Sequence, residues 1–126
     1  MAGPISNRIS GKDTLVDKLG YWPEFCDAKI LELNFCVYGL DTSIVMLLHY
    51  IDSDRKLDAR VKLILHGISD LEFNELRIEN VVDHIDLNEL KHGIEFRIEA
   101  CAGFYGGCSC QSAVVQLVSL KTYLVE

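Results

Sequence analysis

Five cysteines, four histidines and a surplus of carboxylates are the side chains through which this 126-residue chain could do chemistry. Cys108-Ser109-Cys110, if extended, puts both thiols on one face, because strand side chains alternate. Adding Cys26 or Cys101 could assemble a soft thiolate site for zinc. A lone Cys-x-Cys lacks the paired Cys-x-x-Cys knuckles of structural zinc sites. Cys26, Cys101, Cys108 and Cys110 are therefore a weak candidate set, and no bound metal or other cofactor is expected. An odd number of cysteines cannot all pair within one chain, and a core of this size needs no staples. They read as reduced thiols, with Cys36 packing as a small hydrophobe. His49, His66, His84 and His92 show no His-Glu-x-x-His spacing; His49 and His66 end apolar runs, as strand-edge or hydrogen-bonded histidines do. The chain has no Gly-x-Ser-x-Gly elbow, Walker loop or Gly-x-Gly-x-x-Gly fingerprint, and no motif ties a histidine to Cys26-Asp27. An enzyme is not expected.

The carboxylates Asp52, Asp54, Asp83, Asp86, Glu95 and Glu99 allow two readings. They form a solvated face and a mobile loop, or they form an acidic patch that imitates a phosphate backbone and docks onto a basic protein. Twelve basic against nineteen acidic side chains leave a formal charge of −7. That balance argues against binding nucleic acid, which takes Lys and Arg in excess, and suits a basic protein partner. The longest apolar run, Ile44 to Leu48, falls far short of the roughly 18–20 residues a membrane helix needs. No basic run leads into an apolar segment at the N-terminus, so no secretory signal is read there. A cytoplasmic protein that does not engage a membrane is the expectation.

These residues must be held by strands. Residues 1–9 read as a flexible arm broken by Gly3-Pro4, and 10–126 as a single domain. A short helix is predicted from about Ser10, its cap, to Leu19, with Leu15, Val16 and Leu19 on one face and Gly20 as its stop. After Tyr21-Trp22-Pro23 the period becomes two. Leu31, Leu33, Phe35 and Val37 alternate with Glu32, Asn34 and Cys36. Ser43 to Ile51 is apolar on both faces and calls for cover on both. Arg60 to His66 alternates, Leu71 and Phe73 resume after a bend at Gly67, and a weaker strand follows around Asn80 to Leu87. Lys91-His92-Gly93 turns into Ile94, Phe96, Ile98 and Ala100. Gly103 to Gly107 reads as a glycine-rich connection to a closing strand from Cys110 to about Leu120. Strands this closely spaced leave no room for crossover helices and must pair mostly antiparallel. The fold expected is mainly β, α+β at the margin: an antiparallel sandwich or strongly curled sheet with one short N-terminal helix.

Three pieces in this order resemble the immunity protein 50 family, known from bacterial polymorphic-toxin gene clusters. The first is Trp22-Pro23-Glu24-Phe25-Cys26-Asp27-Ala28 running into the strand Ile30 to Val37. The family pattern reads Trp-Pro-x-Phe-His-Asp-Ala, so Cys26 stands where histidine is usual, and whatever that histidine does is not carried over. The second is Val61-x-Leu63-x-Leu65 with Gly67-Ile68-x-Asp70-Leu71, then Asn80-Val81-Val82. The family shows Phe-Asn before Gln-Asn-Val there; this chain has Leu76, Arg77 and Glu79, and matches at Asn80. The third is Cys101, Gly106-Gly107 and Cys110 before the last strand. The likeness spans about Leu19 to Leu120.

The resemblance implies a non-enzymatic protein that neutralises a co-encoded toxin in the producing cell. The acidic balance suits a basic toxin, a nuclease among the candidates, bound through the six carboxylates above. Trp22, Pro23, Phe25, Cys26, Asp27 and Asn80 are read as structural: a buried tryptophan anchors the junction, proline blocks further helix, and Asp27 accepts backbone N–H bonds there. Monomer and homodimer both fit, since a β edge needs protection. The alternative is a stand-alone β-rich ligand- or metal-binding module built around Cys26, Cys101, Cys108 and Cys110.

Overall fold

Residues 12–19 form two turns of helix, and among the described residues most of the chain after residue 28 pairs as strands. A computed structural model describes residues 8–122 of the chain. In order come β1 (Ile9–Ser10), α1 (Lys12–Leu19), β2 (Lys29–Tyr38), β3 (Asp41–Asp52), β4 (Leu57–His66), β5 (Ser69–Asn74), β6 (Val81–Leu90), β7 (Gly93–Ala102), β8 (Tyr105–Cys110) and β9 (Ser112–Thr122). They join one curled sheet in the order β1-β9-β4-β3-β2-β6-β7-β8-β5. All pairings are antiparallel except the short parallel contact of β1 with β9. The mainly β class with one short helix is what the alternation predicts.

Burial explains the curl. β3 turns Ile44, Met46, Leu48 and Tyr50 inward, β4 turns Leu57, Ala59, Val61, Leu63 and Leu65 inward, and β6 and β7 return Ile85, Leu87, Phe96 and Ile98 into the same core. The sheet bends far enough for β7 to touch β9, which lies five places away in the strand order. One face of β3, of β4 and of much of β6, β7 and β9 is thereby removed from water, the main favourable term in such a fold, while β2 buries none of its residues fully.

Several expectations are corrected. Ser10 does not cap the helix: it pairs with Val114 in β1, and the cap position falls to Gly11 at φ 84°, with no side-chain cap bond. Gly20 closes the helix as expected, its N–H donating to the Val16 carbonyl. Ile9, placed in the arm, pairs with Ala113; residues 1–7 of that arm lie outside the described residues. β3 has cover on one face only. Val45 and Leu47 stay half-buried on the outer face, where Glu32 and Lys62 flank Leu47 across the ladder. The glycine-rich connection is itself a strand, β8. A side chain at Gly106, whose φ is +144°, would run into the Glu72 carbonyl of β5, and one at Gly107 would meet the Phe96 carbonyl of β7. Glycine here marks close strand approach, not a loop.

Candidate functional site

The sheet has two halves, β1-β9-β4-β3-β2 and β6-β7-β8-β5, and its ladder joins them at one residue pair, Lys29 with Val81. The segment from Trp22 to Ala28 completes this seam. The Asp27 N–H donates to the Val82 carbonyl at 2.8 Å, Val82 N–H to the Ala28 carbonyl at 2.8 Å, Ile30 N–H to the Asn80 carbonyl at 3.1 Å and Ile85 N–H to the Glu24 carbonyl at 2.9 Å. To reach these partners the chain adopts positive φ at Glu24 (52°), Phe25 (61°) and Asp27 (67°), a region side chains seldom occupy. The buried Phe25 ring compensates. It meets Trp22 edge-on at 5.4 Å and Tyr50 at 5.9 Å.

The anchor expected at Trp22 is therefore Phe25. Trp22 is half-buried, with the Lys12 ammonium 4.9 Å from its ring centre, while Pro23 is buried. Asp27 also differs from expectation, since its backbone N–H, and not its carboxylate, makes the junction. Asn80 is the only buried polar residue among those described, 5% exposed. Its Oδ1 accepts the Arg77 N–H at 3.0 Å and the Phe104 N–H at 3.1 Å, and its Nδ2 donates to the Arg77 carbonyl at 2.7 Å. One amide thus fastens the loop before β6 to the β7–β8 turn, with each of its groups hydrogen-bonded as burial demands.

The outer face of the second half carries charge. Across the β6–β7 ladder His84 faces Glu99, Asp86 faces Arg97 and Asn88 faces Glu95, and directly opposed residues share a face. His84 lies between two carboxylates, Nδ1 3.2 Å from Asp83 and Nε2 3.4 Å from Asp86. The face continues over Gly106 and Gly107 to Glu72 and Asp70 on β5, where a shallow groove of about 320 Å³ is lined by Asp70, Glu72, Glu95, Arg97, Gly107 and Ser109 among others. Four of the six sequence-predicted acids, Asp83, Asp86, Glu95 and Glu99, come together here. Asp70 and Glu72 join them; they were missed because their pairing with β8 runs through glycines that read as loop.

Asp52 and Asp54 do not join them. They sit at the β3–β4 turn in the other half, and the Asp52 carboxylate is occupied by its own hairpin. It accepts the Tyr21 hydroxyl at 2.5 Å and the backbone N–H groups of Asp54 and Arg55 at 3.1 and 3.2 Å. The Tyr21 bond, opposed by partial desolvation and aided by Arg55, holds its pKa below the usual carboxylate value. Tyr50 adds a 2.8 Å contact to the Tyr21 hydroxyl, and the Arg55 guanidinium lies 4.1 Å from the Tyr21 ring centre.

Cys36 is half-buried on β2, and the other four cysteines separate into two groups. Cys108 and Cys110 lie opposite Phe96 and Ile94 and point into the core. Burial pushes the Cys108 thiol up to about 12 and the Cys110 thiol up to about 11. Cys26 and Cys101 are exposed at the seam, Cys101 Sγ lying 3.8 Å from the Val82 carbonyl. Desolvation, with the carboxylates of Asp27 and Asp83, raises both of their pKa values. A reactive thiol needs the opposite environment. The four-sulfur set is thus divided between the core and the outer surface, and among the described residues no three His, Cys, Asp or Glu side chains converge as a metal site.

A family sequence model decides the relationship: that of immunity protein 50 matches residues 11–121, nearly the whole chain. The chain belongs to the immunity protein 50 family. No curated protein and no solved structure matches it. Within this immunity protein the Trp22–Ala28 motif joins the two half-sheets, with the Asn80 carbonyl accepting the Ile30 N–H, while the Asn80 side chain ties together loops of the second half. Membership of an immunity family implies a toxin as partner in general terms. No helix among the described residues is long and apolar enough to cross a membrane.

Proposed function

We propose that this protein neutralises a co-encoded bacterial toxin in the cytoplasm of the producing cell, without catalysis, by covering the toxin with the outer face of β6, β7, β8 and β5. The observation that carries the reading is the gathering of Asp83, Asp86, Glu95 and Glu99 with Asp70 and Glu72 on one face of a chain of net charge −7. Such a face attracts a basic surface, speeds encounter at low salt and repels nucleic acid. A toxin that itself grips a phosphate backbone, a nuclease, is the complementary partner. Arg97, opposite Asp86 within the face, breaks the uniform charge and supplies orientation as well as attraction.

The test uses the product of the neighbouring toxin gene. The purified pair is expected to form a complex and the toxin to lose activity, with an association rate that falls steeply as salt rises. Asp86→Lys with Glu99→Lys is expected to slow association at least about tenfold, about 1.4 kcal/mol of encounter free energy, while circular dichroism stays unchanged. Tight binding insensitive to both salt and these substitutions would place the interface elsewhere. No binding at micromolar concentration would remove the toxin reading altogether.

A further inference from the structure

The sheet order puts β2 in the interior, yet most of one side of it has no neighbour. Along its length it pairs with β3, from Lys29 opposite His49 to Tyr38 opposite Asp41. On its other side it meets β6 at Lys29 and the Asn80 carbonyl through Ile30, and among the described residues no strand lies beside Leu33 to Tyr38. The cause is a bulge at Leu31 together with the divergence of β6 towards the motif loop. Phe35 and Val37 lie opposite Ile44 and Thr42, so they point to the same side as the core residue Ile44. Each is nonetheless 55% exposed, because the layer that should cover them has turned away. Leu76 and Ile78 stand exposed across the cleft beside Leu31 and Leu33.

The true edges of the sheet are guarded in the usual ways. β1 is two residues long. β5 is short, bulged and carries Asp70 and Glu72. β9 beyond its contact with β1 has a bulge at Val118 and a lysine at 121. Short strands, bulges and charges are how natural sheets refuse edge pairing. From Leu33 to Leu40, Leu-Asn-Phe-Cys-Val-Tyr-Gly-Leu, β2 and its turn carry no charge at all.

We infer that the open side of β2, from Leu33 to Tyr38, pairs antiparallel with the same segment of a second copy of this chain, joining two curled sheets across a two-fold axis. Charge chooses the occupant. Two copies each carrying −7 repel except where both surfaces are neutral, and this segment is neutral. A basic toxin would find no steering charge on it. The pattern also reads sensibly against itself, as an isologous contact requires. With the axis at Asn34, Leu33 meets Phe35 and Leu31 meets Val37. With the axis at Phe35, Leu33 meets Val37 and the two phenylalanines face each other. In neither register does a charge oppose its like. Pairing also covers the stranded core face of Phe35 and Val37 and satisfies backbone groups that no strand among the described residues pairs with.

Sedimentation equilibrium of the full chain tests this from micromolar to hundreds of micromolar. The expected mass is twice the 14.2 kDa of one chain at the upper end, with reversible dissociation on dilution. Phe35→Lys with Val37→Lys is expected to move the dimer midpoint at least tenfold upward, whereas Glu99→Gln on the opposite half leaves it in place. Hydrogen exchange of the unaltered protein gives a readout that needs no substitution: the amides of residues 33–38 gain protection as concentration rises. A chain monomeric throughout this range overturns the inference. So does a dimer that survives the lysine pair with its fold intact, or protection of 33–38 that comes only when the toxin is added.

Discussion

The two halves of the sheet are built by opposite rules. In β4, β3 and β2 long ladders run with a bulge at most, and the inward positions are apolar, most of them aliphatic. In β6, β7, β8 and β5 the ladders slip at Val82, His84 and Leu71, glycines replace side chains, and the outward positions are charged. A bulge strengthens the local twist and re-aims a side chain, and it is most often found near edges and functional sites. The first half is a frame of long, regular ladders over an apolar inner face. The second half spends regularity on a shaped, charged face and relies on the seam to stay attached.

The comparison predicts that the seam is where the molecule breaks most easily. Phe25→Ala is expected to have the largest effect, a loss of about 3–5 kcal/mol in urea unfolding, because a fully buried ring between Trp22 and Tyr50 is replaced by a void. Should Phe25→Ala cost under about 1 kcal/mol, the motif loop would not be the clamp described. Asn80→Ala comes next, at about 1–3 kcal/mol, since it leaves the Arg77 and Phe104 N–H groups without their acceptor. Its effect should be local: hydrogen exchange is expected to rise in β7, β8 and the loop before β6, with β3 and β4 unchanged. Uniform loosening of both halves would contradict the division drawn between them.

The smallest effect sharpens the contrast by pH. Below the ordinary thiol pKa, Cys108 and Cys110 are neutral in both the folded and the unfolded chain. Between about 9 and their folded values near 11 and 12 the unfolded chain ionises and the folded one does not, so stability falls as pH rises. Thermal midpoints of the reduced protein are expected to drop across that window. The slope should lessen in a Cys108→Ala, Cys110→Ala variant, while Cys101→Ala, which removes an exposed thiol, should alter it little. Equal slopes in wild type and the double variant would mean these thiols are not held inside the second half.

Much of the frame was legible in the residues. Alternation located β2, β4 and β7, a run apolar on both faces located β3, Gly20 stopped the helix, and the absence of crossover length implied antiparallel pairing. Three features were not legible. Gly106 and Gly107 resemble turn residues because nothing local tells a glycine that bends from one that lets a neighbouring backbone approach. Leu31 to Val37 alternates cleanly, yet a bulge shifts Leu31 out of the pattern and the missing layer leaves Phe35 in water. Asp52 looks like Asp86 as a letter, but one carboxylate is used by its own turn and the other is offered outward.

The order of the amino acids alone determined the class of fold, the family and the sign of the surface charge, because period, motif and composition are properties of a one-dimensional string. Tertiary structure alone decided which carboxylates share a face, which thiols are buried, and where β6 leaves β2 uncovered. Those depend on ladder register and sheet curl, set by contacts between residues dozens of positions apart, where one bulge redirects every side chain beyond it.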